Sequence, residues 1–177
     1  RDLHSLRRRQ RQMCIRDSLK IYDLTGKEIL SKKFEGTVHY STFNPAGDKI
    51  MLREGLESLK ICDLTGKVIL SKNFEKIIYY PSFSPTGDKI ILREGDDILK
   101  IIDLKGDVIF SKNFKQPIYY PSFNPTGDKM MLREGDNTLK IFDLKGKEIL
   151  SIKFEKSIYD PSFSPAGKEI MFEEGDN

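Results

Sequence analysis

Phe83-Ser-Pro-Thr-Gly87 and Leu99-Lys-Ile-Ile-Asp-Leu104 decide the fold, because each returns at a fixed interval. The first recurs as Phe43-Asn-Pro-Ala-Gly47, Phe123-Asn-Pro-Thr-Gly127 and Phe163-Ser-Pro-Ala-Gly167, in steps of 40 residues. The second recurs at the same step as Leu19-Lys-Ile-Tyr-Asp-Leu24, Leu59-Lys-Ile-Cys-Asp-Leu64 and Leu139-Lys-Ile-Phe-Asp-Leu144. A period of this length means one supersecondary unit copied along the chain, each copy burying its apolar face against its neighbours.

Within one unit, residues 75–114, four short apolar runs alternate with turn clusters. Ile78-Tyr-Tyr-Pro-Ser-Phe-Ser84 is aromatic and β-branched, and Pro85-Thr-Gly-Asp88 turns the chain. Lys89-Ile-Ile-Leu-Arg93, Ile98-Leu-Lys-Ile-Ile-Asp-Leu104 and Val108-Ile-Phe-Ser-Lys-Asn-Phe114 follow, separated by Gly-containing turns. Such spacing predicts a four-stranded antiparallel meander, and Pro and Gly leave no uninterrupted run of helix length. Ile90-Ile-Leu92 and Met130-Met-Leu132 do not alternate with polar residues. A strand sandwiched between neighbouring sheets has no need to alternate. The expected fold class is therefore all-β: a β-propeller segment of four-stranded antiparallel blades, about four 40-residue repeats. A β-solenoid, whose rungs are shorter, fits less well.

The opening 18 residues stand outside the repeats. Arg1-Asp-Leu-His4 and Arg8-Arg-Gln-Arg-Gln-Met-Cys-Ile-Arg-Asp-Ser18 resemble, in one frame, the constant blocks of a translated adaptor from transposase-based sequencing libraries. Such scars are set aside in fold reasoning. Residues 1–18 hold six Arg and two Asp, so the net charge of +3 becomes 24 basic against 25 acidic residues, −1, over 19–177. No nucleic-acid or membrane-surface partner is expected on that charge. Cys62 is then the single cysteine, which excludes a disulfide framework and reads as a small core residue. No apolar run approaches the ~20 residues that span a bilayer.

The motifs resemble those of the WD40-repeat β-propellers. Leu139-Lys-Ile-Phe-Asp-Leu144 is similar to that family's third strand with its terminal Trp-Asp, and Phe83-Ser-Pro-Thr-Gly87 to the turn after the innermost strand. Gly135-Asp-Asn-Thr138 resembles the turn into the third strand. The likeness covers residues 19–177. Tyr22, Cys62, Ile102 and Phe142 stand where that family has Trp, and no Gly-His pair precedes an innermost strand, so its usual side-chain hydrogen-bond network is not expected. Asp96, Asp136 and Asp176 match the Asp of that turn, with Leu56 in the first copy. Tyr80-Pro-Ser-Phe-Ser-Pro85 also resembles TolB-like propeller repeats, which leaves the subfamily open. Carried over, the strand order implies an outer half-blade at 19–34, blades at 35–74, 75–114 and 115–154, and an inner half-blade at 155–177. A four-bladed closure is conceivable on this order; the expectation is an open arc of a larger propeller, a fragment with sheet edges that invite self-association.

Candidate contact residues recur with the period. Arg53-Glu54, Arg93-Glu94 and Arg133-Glu134 close the second strand. They read either as a charged ring that receives a partner or, as the preferred alternative, as a solvated strand end with weak ion pairs. Tyr79-Tyr80 and Tyr119-Tyr120, with His39-Tyr40 and Tyr159-Asp160 as variants, open the innermost strand. Tyr79 and Tyr119 could hold a peptide near the channel, although packing against a neighbouring blade is the simpler role. Asp23, Asp63, Asp103 and Asp143 are expected to cap the turns that follow them. The Thr-Gly-Lys turns lack the rest of a phosphate loop. No catalytic, metal or cofactor residues are expected. Units 75–114 and 115–154 agree at 26 of 40 positions, whereas catalysis normally needs a unique constellation. The expected function is a non-catalytic, cytoplasmic scaffold for a protein or peptide partner. The alternatives are an enzyme or sensor propeller whose unique site lies in other blades.

Overall fold

The computed structural model describes residues 17–176, and every regular element in that span is a strand. Three complete sheets carry the repeat. They comprise β3 (Val38–Phe43) to β6 (Val68–Asn73), β7 (Ile78–Phe83) to β10 (Val108–Asn113), and β11 (Ile118–Phe123) to β14 (Glu148–Lys153). Their middle strands are β4 (Lys49–Glu54), β5 (Ser58–Asp63), β8 (Lys89–Glu94), β9 (Ile98–Asp103), β12 (Lys129–Glu134) and β13 (Thr138–Asp143). Each sheet is a simple antiparallel meander in chain order. On one flank β1 (Ser18–Tyr22) pairs only with β2 (Glu28–Lys33), and on the other β15 (Ser157–Phe163) pairs only with β16 (Ile170–Gly175). The sheets stack as an open arc and do not close.

The adaptor-like residues 1–16 lie outside the described residues. The first strand, however, opens at Ser18, one residue before the expected start, and the Asp17 carbonyl accepts from the Phe34 N–H at 2.7 Å. A ladder needs only backbone, so these two residues fill the places of Glu57-Ser58 in the next copy.

The second strand of each unit is buried on both faces, as its unbroken apolar run requires. Ile90, Ile91 and Leu92, and equally Met130, Met131 and Leu132, have no solvent exposure. Successive residues point to opposite faces, so each such strand feeds two inter-sheet cores. Met51, Ile61 and Leu70 of one sheet pack with Ile78, Ile90 and Ile102 of the next. Ile91 and Leu99 pack in turn with Ile118, Met130 and Phe142. Each fully buried side chain of this size contributes ~1.5–3 kcal/mol. Cys62 is buried as well, and burial pushes its thiol pKa up.

The turns follow the sequence closely. Asp63 Oδ1 accepts from the Thr65 and Lys67 N–H groups at 2.9 and 3.0 Å, and Gly66 supplies the left-handed residue that closes the turn. Asp23, Asp103 and Asp143 repeat this arrangement. The turn into the third strand uses a carbonyl instead of a side chain. Asp96 and Asp136 accept from Ile118 and Ile158 of the next unit through their backbone oxygens, and Leu56 does the same for Ile78. That explains why Leu56 is tolerated in the first copy.

Candidate functional site

The innermost strand of every unit is bulged. Tyr79 pairs with Arg93 and Ser82 with Ile91, so Tyr80 and Pro81 together face one residue of β8. The extra residue is left-handed: Tyr40, Tyr80, Tyr120 and Asp160 have φ of 57°, 52°, 54° and 46°. A bulky side chain at such φ costs on the order of 1–3 kcal/mol, and a proline directly follows Tyr80, Tyr120 and Asp160. Asp bears it more easily, which suits the fourth copy.

The bulge turns these side chains toward the convergence of the sheets. The Tyr80 and Tyr120 rings, from adjacent units, lie 5.5 Å apart between centroids. Tyr40, Tyr80, Tyr120, Pro81, Pro121 and Pro161, together with Ser82 and Ser122, line one shallow pocket of about 230 Å³. A second pocket of about 350 Å³ shares both serines and Pro161 and continues along the turns at Pro45, Pro85 and Pro125. Ser122 Oγ is buried without a hydrogen-bond partner. Tyr40 is 57% exposed and Asp160 is exposed. Burial, then the nearby Asp160 charge, raises the Tyr120 phenol pKa, which keeps it a neutral hydroxyl.

Behind the ladder lie the Arg-Glu pairs, and here the expected solvated strand end is corrected. Arg93 and Arg133 are buried, Arg53 is half-buried, and Glu54 and Glu94 are buried. Glu134 is half-buried. Each arginine donates through Nη1 to the first inner strand of the following unit: Arg53 to the Ile78 carbonyl at 2.6 Å, Arg93 to Ile118 at 2.6 Å, and Arg133 to Ile158. The Arg93 guanidinium lies 4.1 Å from the Tyr79 ring centre and 5.2 Å from Tyr119, so tyrosines of consecutive units flank it. Arg133 stands likewise between Tyr119, at 4.3 Å, and Tyr159, at 5.4 Å. The Nε atoms of all three arginines are buried without a hydrogen-bond partner. For Arg93 and Arg133 ring contact and the carbonyl bond carry the compensation for burying the charge, and Arg53 has the carbonyl bond. His39 takes the tyrosine's place opposite Arg53. Burial holds the Arg53 pKa below its usual value.

The glutamates point the other way. Glu54, Glu94 and Glu134 pair with Lys60, Lys100 and Lys140 of the neighbouring strand, the last at 2.8 Å. Glu94 also accepts from the Glu75 and Lys76 N–H groups at 2.8 and 3.3 Å. Burial alone would raise the Glu94 pKa. The Lys100 bond and the backbone donors outweigh it and hold the carboxyl below the ordinary glutamate range. Thus Tyr79, Tyr119 and the arginines are brought together as an inter-sheet layer, while the glutamates belong to a separate layer. In the left-handed ladder Tyr40 and Asp160 are exposed and Tyr80 and Tyr120 are half-buried. No Gly or Asn marks those positions, and the proline after Tyr80, Tyr120 and Asp160 ordinarily signals extended backbone, so the left-handed turn has no sign in the sequence. Among the described residues, no group of three or more His, Cys, Asp or Glu could hold a metal ion.

One solved structure with this arrangement is "KlHsv2 with loop 6CD replaced by a Gly-Ser linker". It superposes with a TM-score of 0.73 over 89% of this chain, at 15% sequence identity. The chain folds as an open β-propeller arc. It spans 54% of the length of that structure, and the low identity makes the likeness one of fold. No family model matches the chain, and the comparison with curated proteins gave no match.

Proposed function

We propose that this arc is a non-catalytic, WD40-like repeat scaffold whose left-handed tyrosine ladder binds a protein or peptide partner. The observation that carries the reading is the recurrence of a strained aromatic residue, turned toward one shared pocket, in three successive units. Strain of this kind persists where the surroundings hold it and clusters at ligand-contact positions. Tyrosine supplies a large rigid contact area and a hydroxyl together, which is why it is enriched at binding hot spots. The flanking prolines add a stiff apolar floor, and three units repeat the same chemistry in line, which suits an extended chain rather than a single small molecule. Near-identity of the units argues against a catalytic constellation. The subfamily stays between WD40-type and TolB-like repeats, since the third-strand motif favours the former and Tyr-Pro-Ser-Phe-Ser-Pro the latter.

A random peptide library displayed on phage and selected on the intact chain tests this. Enriched peptides are expected to lose at least tenfold in affinity for the double variant Tyr80→Ser/Tyr120→Ser, with thermal unfolding showing that the variant is folded. Unchanged affinity, or no enrichment over a control protein, overturns the reading.

A further inference from the structure

The two unpaired edges of the arc are halves of one blade. β16 is a second strand of the repeat and β1 a third strand, and in every whole sheet those two pair in one register. Lys49 to Glu54 face Asp63 to Ser58, and the same alignment recurs in β8 with β9 and in β12 with β13. Carrying it over by the 40-residue period sets Ile170 opposite Tyr22, Met171 opposite Ile21, and Glu174 opposite Ser18.

The side chains that this pairing would cover are those left open. Met171 is 72% exposed, whereas its counterparts Met51, Ile91 and Met131 are fully buried. Tyr22 is 50% exposed, whereas Cys62, Ile102 and Phe142 are at 1% or below. A cleft of about 300 Å³ lies between β1 and β3, walled by Leu19, Ile21, Tyr22, Phe43 and Ile50. At the next junction along, the counterparts Leu59, Ile61, Phe83 and Ile90 share a core cluster with Met51. The cleft therefore has the shape and polarity for Met171. Charge agrees: Glu174 and Lys20 are the counterparts of Glu134 and Lys140. Lys140 holds Glu134 at 2.8 Å and Glu148 at 3.2 Å together, and Lys20 already holds Glu28 at 3.2 Å. The one like-charged pair of the register, Glu169 with Asp23, falls at its exposed turn end.

We infer that a second copy of this chain occupies each edge, β16 of one copy pairing antiparallel with β1 of the other. One chain's own β1 and β16 stand in separate two-stranded sheets. Two such junctions close a ring of eight blades, two of them shared, within the usual range of four to eight. Glu173 stands where the other units have the carbonyl-binding arginine. The junction lacks that bond and is therefore weaker than an internal one, so assembly depends on concentration.

Two single-cysteine variants, Ile21→Cys and Met171→Cys, each in a Cys14→Ser/Cys62→Ile background of the full chain, test the pairing. After oxidation, a disulfide-linked dimer is expected in the mixture and in neither variant alone. Light scattering on the unsubstituted chain is expected to pass from one copy to two as concentration rises. A mixture that forms no cross-linked pair, a variant that cross-links to itself as readily, a mass of one copy at every concentration up to about 1 mM, or growth beyond two copies overturns the inference.

Discussion

Arg93 does three things from one buried position: it bonds the Ile118 carbonyl, stacks on Tyr79 and reaches Tyr119. Only a planar guanidinium offers a flat face for two rings and an in-plane donor at once. Arg93→Lys keeps the charge but loses the stacking plane. It is expected to lower unfolding free energy by about 2 kcal/mol, read from the denaturant midpoint. An effect below about 0.5 kcal/mol would mean that the charge alone matters there. The left-handed tyrosines are the opposite case. Tyr40 is strained and mostly exposed, so little in its own packing offsets its φ of 57°.

Element by element, the strands were legible because their period and turn residues are local signals. Asp63, Thr65 and Gly66 act within five residues of one another, and the capped turn follows from them directly. The fate of Arg93 was not legible, since its acceptor lies 25 residues on in another sheet. A charged pair at a strand end looks solvated until the neighbouring sheet is in place. The bulge at Tyr80 was hidden for a related reason: non-Gly left-handed residues carry no compositional mark, and tertiary packing selects them. Glu173 in place of the repeated arginine, by contrast, was readable in the sequence.

The glutamate layer between second and third strands sets an acid limit. Glu94 has a folded pKa below its unfolded one, because Lys100 and two backbone donors outweigh burial. Its contribution is therefore complete above the ordinary glutamate range and is lost as pH falls through the folded value. Glu54, paired with Lys60, adds in the same direction. Urea unfolding of the chain should weaken from about pH 5 to about pH 3, and Glu94→Gln should be less stable at pH 7 and flatter across that window. A variant with the slope of the unsubstituted chain would assign the acid limit to other carboxylates, such as Asp88, whose pKa Lys89 and Thr86 lower.

At the scale of the whole arc, stability is close to a sum of unit and junction contributions. β7–β10 has a complete neighbour on each side, whereas β1–β2 and β15–β16 are two-stranded and covered on one flank. Amide hydrogen exchange at low protein concentration should find the slowest amides in β8 and β9 and the fastest strand amides in β1 and β16. Raising the concentration should protect β1 and β16 selectively if copies join there. Uniform protection across all strands would instead mark a single cooperative unit.

The carbonyl bonds of Arg53, Arg93 and Arg133 all run forward, each from one unit to the first strand of the next. The arc therefore has a direction, like a zip with hooks on one side only. During synthesis the hook of each unit is made before its eye, so a unit finishes locking only after about 25 further residues have left the ribosome. The growing end is always the loose end, and each newly made unit secures the one before it.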